Sequence, residues 1–182
     1  MCIRDRQTTD VLYVQDCYLR LLRKEDAAMY YEKGFAQEDE EVRRFTGTTQ
    51  TFSKKMIYDY VERIAEADDR YDFLIFTYQD ELIGEAVLND IDWDANMAGF
   101  RIALFSSTQT NKGIGKQAVK AVTDFGLYTL QLHRIELEVF DYNPRAQHVY
   151  ECCGYQIEGR KKDGLYYDGS YHDILIMAIL HP

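Results

Sequence analysis

The segment that most restricts how this chain can fold runs from Gly99 to Tyr128. It reads as a β-prone strand (Gly99 to Phe105), a polar loop (Ser106 to Lys112) and, from Gly113, a long helix with Ala118, Val119, Val122 and Phe125 on one face. A strand that feeds such an apolar-striped helix through glycines belongs to a sheet with helices packed on it. The turn Thr110-Asn111-Lys112-Gly113-Ile114-Gly115 also sets two glycines at the helix start. There the backbone can approach a ligand closely, and unpaired N–H groups at the positive end of the helix favour phosphate. A glycine pair alone also describes a plain tight turn. A Walker A loop is excluded, because Thr110 stands at its first glycine and Gln117 at its hydroxyl position. A dinucleotide fingerprint is the closer rival, with Gly113, Gly115 and Ala118 fitting G-x-G-x-x-A and Asp141 ending the next strand. Against it, only 41 residues follow Asp141, too few for the further βαβ units of a dinucleotide fold.

The flanking pattern predicts a strand over Tyr18 to Leu22, a helix from Lys24 to about Lys33, and a second short helix opened by Glu38-Asp39-Glu40-Glu41, whose charge suits a helix N-terminus. Ser53 caps a third helix, Lys54 to about Ala67, in which Met56, Ile57, Tyr60, Val61 and Ile64 recur at helical spacing. Phe73 to Tyr78 and Leu82 to Asn89 form a hairpin, and Arg134 to Phe140 is a further strand. Asn143 caps a helix with Pro144 at its first position and Gly154 after its end. Two strands close the chain, Tyr155 to about Lys162 and Asp173 to Leu180, around a Gly164 to Gly169 turn region. This order is a mixed α/β (α+β) pattern with a mixed sheet, not a regular βαβ alternation.

With 182 residues, 46% hydrophobic and including 15 Tyr and 9 Phe, the chain can bury a core as one domain without a staple or structural metal, and disorder is excluded. No apolar run approaches a membrane span and no leader is visible, so a soluble, cytoplasmic protein is expected. The six residues Met1 to Arg6 (M-C-I-R-D-R) resemble a translated sequencing adapter, which leaves 7–182 as the domain. A formal charge of −10 argues against nucleic acid and against anionic membranes as partners. The charge is uneven: residues 7–97 carry ten basic against 21 acidic side chains, residues 98–182 nine against nine. Four cysteines without C-x-x-C spacing imply reduced thiols and no metal site, with Cys152 and Cys153 expected as a core pair.

The run Asn143-Pro144-Arg145-Ala146-Gln147-His148-Val149-Tyr150-Glu151-Cys152-Cys153-Gly154-Tyr155 follows the glycine loop after one helix and one strand. Together the two motifs resemble the GNAT superfamily of N-acetyltransferases, closest to its RimJ/RimL branch, and the likeness extends over residues 18 to 180. The resemblance implies a mostly antiparallel sheet of about six or seven strands with a splayed strand pair that holds acetyl-CoA. It implies pyrophosphate binding by Thr110, Asn111, Lys112, Gly113, Ile114 and Gly115, where Thr110 replaces the usual Gln or Arg. It further implies backbone contacts to the pantetheine arm from Ala103, Leu104 and Phe105, a cofactor contact from Asn143, and Tyr150 as both contact and general acid.

Those roles suit the chemistry. A free amine attacks a thioester, N–H groups stabilise the oxyanion and an acid protonates the departing thiolate. The attacking ammonium must first lose its proton, and the strand Gly99 to Phe105 holds no carboxylate to take it. Glu85, Asp90, Asp92 and His172 are the candidate bases, with a water chain as the alternative. The expected acceptor is a cationic primary amine: a protein N-terminus, a polyamine or another small amine, approaching the acidic N-terminal half, with a homodimer conceivable. A catalytically silent acyl-CoA-binding module and a dinucleotide-dependent oxidoreductase are the competing functions.

Overall fold

The computed structural model describes residues 11–182, and the adapter-like residues 1–6 lie outside them. One sheet organises the chain. Its strands are β1 (Leu12–Tyr13), β2 (Cys17–Leu21), β3 (Tyr71–Thr77), β4 (Leu82–Asp92), β5 (Met97–Leu104), β6 (Arg134–Phe140), β7 (Gln156–Tyr167) and β8 (Ser170–Leu180), in the spatial order β1-β2-β3-β4-β5-β6-β8-β7. Every described neighbour pair is antiparallel except β5 with β6. The eight strands exceed the expected six or seven; the two-residue β1 is too short to announce itself by alternation. An antiparallel sheet of this kind excludes the doubly wound dinucleotide fold, which needs parallel βαβ units.

Among the described residues five α-helices cover both faces: α1 (Ala27–Gly34), α2 (Glu40–Thr46), α3 (Lys54–Glu66), α4 (Ile114–Asp124) and α5 (Pro144–Cys152). Because both faces are covered, β3 reads as an unbroken apolar run. Phe73 and Ile75 point into the larger core with Val119, Val122 and Tyr150, whereas Leu74 and Phe76 point into a second core with Tyr30, Ile57, Val61 and Ile64. Each of these buried aliphatic side chains stabilises the fold by about 1.5–3 kcal/mol. The caps lie where the residue types demand them: Met56 N–H donates to Ser53 Oγ at 3.2 Å, Ala146 N–H donates to Asn143 Oδ1 at 3.2 Å, and Gly154 takes φ +98° after α5.

Three expectations are corrected. The Gly164 to Gly169 turn region is mostly strand: β7 and β8 run on to a two-residue turn at Asp168 and Gly169, both with positive φ (51° and 76°), the conformation an Asp-Gly hairpin turn requires. Gly164 instead sits in an irregular stretch where the register shifts between Lys161 and Leu165, and a Cβ there would stand 3.0 Å from Ile174 Cδ1. The long helix is regular only to Asp124 and continues to Thr129 as a π-helical turn. There Gly126 lies so close to β6 that a Cβ would stand 2.7 Å from Ile135 Cδ1. Third, Cys152 is exposed and Cys153 half-buried, so they form no core pair. The inward face of α5 belongs to Tyr150, and Cys152, about 200° further round the helix, points away. Among the described residues no helix is long and apolar enough to cross a membrane.

Candidate active site

The parallel pair β5/β6 is the source of the site. Its register holds only at Met97–Arg134, Ala98–Ile135 and Gly99–Glu136, after which the two strands part. Each keeps its other neighbour to the end: β5 stays on β4 as far as Leu104, and β6 stays on β8 as far as Phe140. The wedge that opens is a cleft of about 500 Å³, floored by Phe100, Ile102, Val139 and Tyr150. Backbone edges released by the splay are strong hydrogen-bonding groups facing this space, a natural seat for an extended chain that carries amides.

At the wide end the chain turns through Ser107–Gln109, and Thr110 Oγ1 donates to Ser107 O at 2.7 Å, which fixes the loop. Asn111 and Gly113 both adopt the left-handed conformation (φ 63° and 78°), and Gly113 caps α4 without any side chain accepting from the first N–H groups. Those donors and the helix dipole therefore favour an anion. A Cβ built on Gly115 would meet nothing within 4 Å, so the loop leaves an open cradle there. Lys116 and Arg145 add positive charge, Arg145 Nη1 donating to Asn111 Oδ1 at 3.1 Å. Donors of this kind fit a pyrophosphate.

Of the residues expected to bind cofactor, Ala103, Leu104, Thr110, Asn111, Gly113, Gly115, Asn143 and Tyr150 line this cleft. Three side chains do not. Ile114 is buried in the larger core, Lys112 is exposed away from the cleft, and Phe105 belongs to a second cavity. Only the backbone groups of Ile114 and Lys112 are available to a ligand in the cleft, because the Phe105 N–H donates to Ile83 O at 2.9 Å. Asn143 spends its Oδ1 on capping α5, leaving its amide N–H groups for the cleft. Tyr150 is 7% exposed, its ring edge-on to Phe100 and Tyr155, and burial, reinforced by Cys153, pushes its hydroxyl up to about 12. It is a proton donor throughout the neutral range.

The second cavity, also about 500 Å³, lies on the other side of β5 beneath α1, α2 and α3. Val42, Thr46, Thr48, Arg101 and Ala103 border both, so the two spaces meet at the end of β5. Tyr30, Phe35, Phe52 and Phe105 wall the second with edge-on aromatic contacts, Phe35 and Phe52 at 5.5 Å. On its floor Glu85, 3% exposed, accepts from Arg101 Nη1 at 2.5 Å and from Tyr30 Oη at 2.7 Å. Glu85 is the one candidate base that lines a cavity. Asp90 is exposed, Asp92 accepts from the Asp94 and Ala95 N–H groups in the turn before β5, and His172 packs on Tyr142 with Nδ1 3.5 Å from Asp141.

Helix α2 spans the two cavities and is pinned at both ends. Asp39 caps it, accepting from Glu41 and Val42 N–H, and also accepts from Ser107 N–H at 2.8 Å and Ser107 Oγ at 2.9 Å. The Ser107 N–H, foremost among these donors, holds the Asp39 carboxyl below the usual carboxylate range. At the other end Tyr142 Oη donates to Arg44 O at 2.5 Å. Sequence reasoning missed Asp39, Tyr30, Tyr60, Arg63 and Arg101 as site residues. The signal for Arg101 was present: a lone arginine in one apolar strand and a lone glutamate, Glu85, in the strand before it.

A GNAT acetyltransferase domain model matches residues 17–156 of the chain. A probable N-acetyltransferase of Bacillus subtilis, YjcK, is 35% identical over 130 residues, 71% of each chain. Spermidine N(1)-acetyltransferase of Vibrio cholerae is 32% identical over 126 residues, 69% of this chain and 68% of that one. Among solved structures, spermidine N-acetyltransferase from Vibrio cholerae in complex with CoA and spermine superposes with a TM-score of 0.82 at 24% identity, covering 91% of this chain and 96% of that one. The splayed strands, the glycine cradle and these matches make the chain a member of the GNAT acetyltransferase family, an enzyme that uses acetyl-CoA.

Proposed function

We propose that the protein acetylates a primary amine by direct attack within a ternary complex, with acetyl-CoA in the β5/β6 cleft and the acceptor in the aromatic cavity. The observation that carries this reading is the junction of the two spaces at Ala103 and Arg101, with no cysteine among the described residues that line either. Acetyl-CoA supplies an activated acetyl thioester. The chain supplies the rest. The β5 edge at Ala103 and Leu104 aligns the acyl carbonyl, and Leu104, whose N–H faces away from β4, offers a donor to the oxyanion. Glu85 is set to draw the proton from the incoming ammonium, directly or through a water, while Arg101 beside it disfavours a second positive charge in the cavity. Tyr150 gives its proton to the departing thiolate. No acyl-cysteine forms: Cys153 is part-buried with its Sγ on Lys116 O of α4, Cys152 is exposed, and neither lines a cavity.

The acceptor enters as an ammonium ion, which the acidic N-terminal half attracts at long range. Polyamines, the acceptor named for the Vibrio cholerae relative, represent the polycationic end of the possible range. Thiol release from acetyl-CoA across polyamines, amino acids, aminoglycosides and short peptides tests the reading. Turnover with at least one amine is expected. Tight acetyl-CoA binding with no thiol release from any of them would leave a silent acyl-CoA-binding module instead.

A further inference from the structure

The acceptor cavity contains three carboxylates, Glu38, Asp39 and Glu85, and three guanidiniums, Arg43, Arg63 and Arg101. Every carboxylate is already engaged. Glu38 pairs with Arg43 at 2.9 Å and accepts from Thr51 Oγ1 at 3.0 Å; Asp39 is saturated by Ser107 and the start of α2; Glu85 is held by Arg101 and Tyr30. The cations are not balanced in the same way. Among the described residues no carboxylate pairs with Arg63, whose guanidinium lies 5.5 Å from the Tyr60 ring centroid at the cavity rim. Around that ring two more guanidiniums gather. Arg70 and Arg101 both donate to Tyr60 Oη, at 3.0 and 3.1 Å; Arg70 pairs with Asp72 at 2.7 Å, while Arg101 pairs with Glu85 at 2.5 Å and reaches Asp72 at 4.0 Å, so the carboxylates beside the ring are engaged as well.

A polycationic acceptor would therefore find no spare carboxylate, and would bring like charge to Arg63 or break an existing pair. An acceptor with a carboxylate of its own has a planar, rigid fork waiting for it. Resting on the acetyl-transfer reading above, we infer that the acceptor is a small zwitterion: a primary amine and a carboxylate joined by an apolar body. Its amine is directed to Ala103 and Glu85, its body lies against Phe35, Phe52 and Phe105, and its carboxylate docks on Arg63.

Matched amines test this. The probes are phenylalanine against phenethylamine and 6-aminohexanoate against pentylamine, with spermidine as the polycation, each read as kcat/KM for thiol release at saturating acetyl-CoA. In at least one pair the zwitterion is expected to outpace its decarboxylated twin by about tenfold or more, the worth of one charge-assisted contact, and to outpace spermidine. Arg63→Gln should bring that ratio to within about threefold, and Arg63→Lys, which keeps the charge but not the fork, should recover part of it. Arg63 is exposed on the last turn of α3, so neither change threatens the fold. Decarboxylated amines or spermidine reacting as fast as the zwitterions, or a ratio that survives Arg63→Gln, overturns the inference while leaving acetyl transfer standing. No thiol release from these probes or from the wider amine panel removes both.

Discussion

The cleft proposed for the cofactor and the cavity proposed for the acceptor share one wall and have the same volume, about 500 Å³ each, yet the chain builds them from different material. The cleft is a backbone object. It exists because β5 and β6 part after Gly99, because Gly113 turns left-handed, and because α4 begins with uncapped N–H groups. The cavity is a side-chain object, walled by Tyr30 of α1 and by Phe35, Phe52 and Phe105 from the segments beside α1, α3 and β5, and floored by an ion pair between buried Glu85 and part-exposed Arg101 that joins β4 to β5. A backbone site tolerates many side chains but not a misplaced Cβ, whereas a side-chain site can change its ligand by exchanging one arginine. One site thus suits an invariant cosubstrate and the other an acceptor that differs between relatives.

The largest effect should come from putting a side chain into the backbone site. Gly115→Leu places four carbons in the open cradle and should raise the KM for acetyl-CoA by about 100-fold, the loss of two charge-assisted hydrogen bonds. The same change replaces a glycine in the first turn of α4 and should stabilise the helix by up to about 0.8 kcal/mol. Affinity and thermal stability are thus expected to move in opposite directions. A parallel loss of both would mean that Gly115 serves the fold and not the ligand.

Tyr150→Phe separates chemistry from binding within the cleft. With the ring kept, the KM for acetyl-CoA should hold while kcat falls by about 100-fold, the contribution of a positioned acid. The pH dependence has a definite sign. A hydroxyl pushed up to about 12 stays protonated at every ordinary pH, so Tyr150 should impose no alkaline fall in kcat below about pH 11. An alkaline limb near pH 8 to 9 that vanishes in the Phe variant would contradict this.

The same division explains how far the sequence could be read. Elements set by local chemistry were legible: Ser53 and Asn143 as caps, Pro144 and Gly154 bracketing α5, and the glycines that open α4. Most of the cleft follows from these, since a strand, a turn and a helix start define it. The cavity was far less legible, because contacts such as Tyr30 to Glu85, or Asp39 to Ser107, join residues 55 and 68 positions apart and leave no periodic trace. Even the acidic balance misled in detail. The described carboxylates among residues 11–97 are paired, capping or on outer faces, such as Glu62 and Glu66 around Lys24, while the cavity itself carries as many guanidiniums as carboxylates. The turn at Asp168 and Gly169 lies inside the expected Gly164 to Gly169 region, but the Asp-Gly signal that narrows it to two residues went unused.

In the side-chain site, Glu85→Gln should cost stability as well as rate. Leaving the part-exposed Arg101 guanidinium against a neutral amide costs about 1–2 kcal/mol after solvent screening, which for a chain of this size lowers Tm by about 2–8 °C. The kcat should drop about tenfold, and its acidic limb should flatten if Glu85 is the group that takes the proton. Unchanged pH dependence with lower Tm would reduce Glu85 to a structural partner of Arg101.

The smallest effect tests the link between the two sites. Asp39→Asn keeps the size of the cap but loses the paired contacts to Ser107, so the KM values for acetyl-CoA and for the acceptor should both rise, each by about fivefold or less, the worth of one hydrogen bond. The Asp39 carboxyl is held below its ordinary value, first by the Ser107 N–H, so its contribution to stability is complete above the unfolded value, about 4, and is lost as pH falls through the lower folded value. The Tm difference between the wild type and Asp39→Asn should accordingly be level from pH 6 to 8 and shrink below about pH 4. If only one KM moves, α2 belongs to that cavity alone, and the two sites are neighbours without being coupled through this helix.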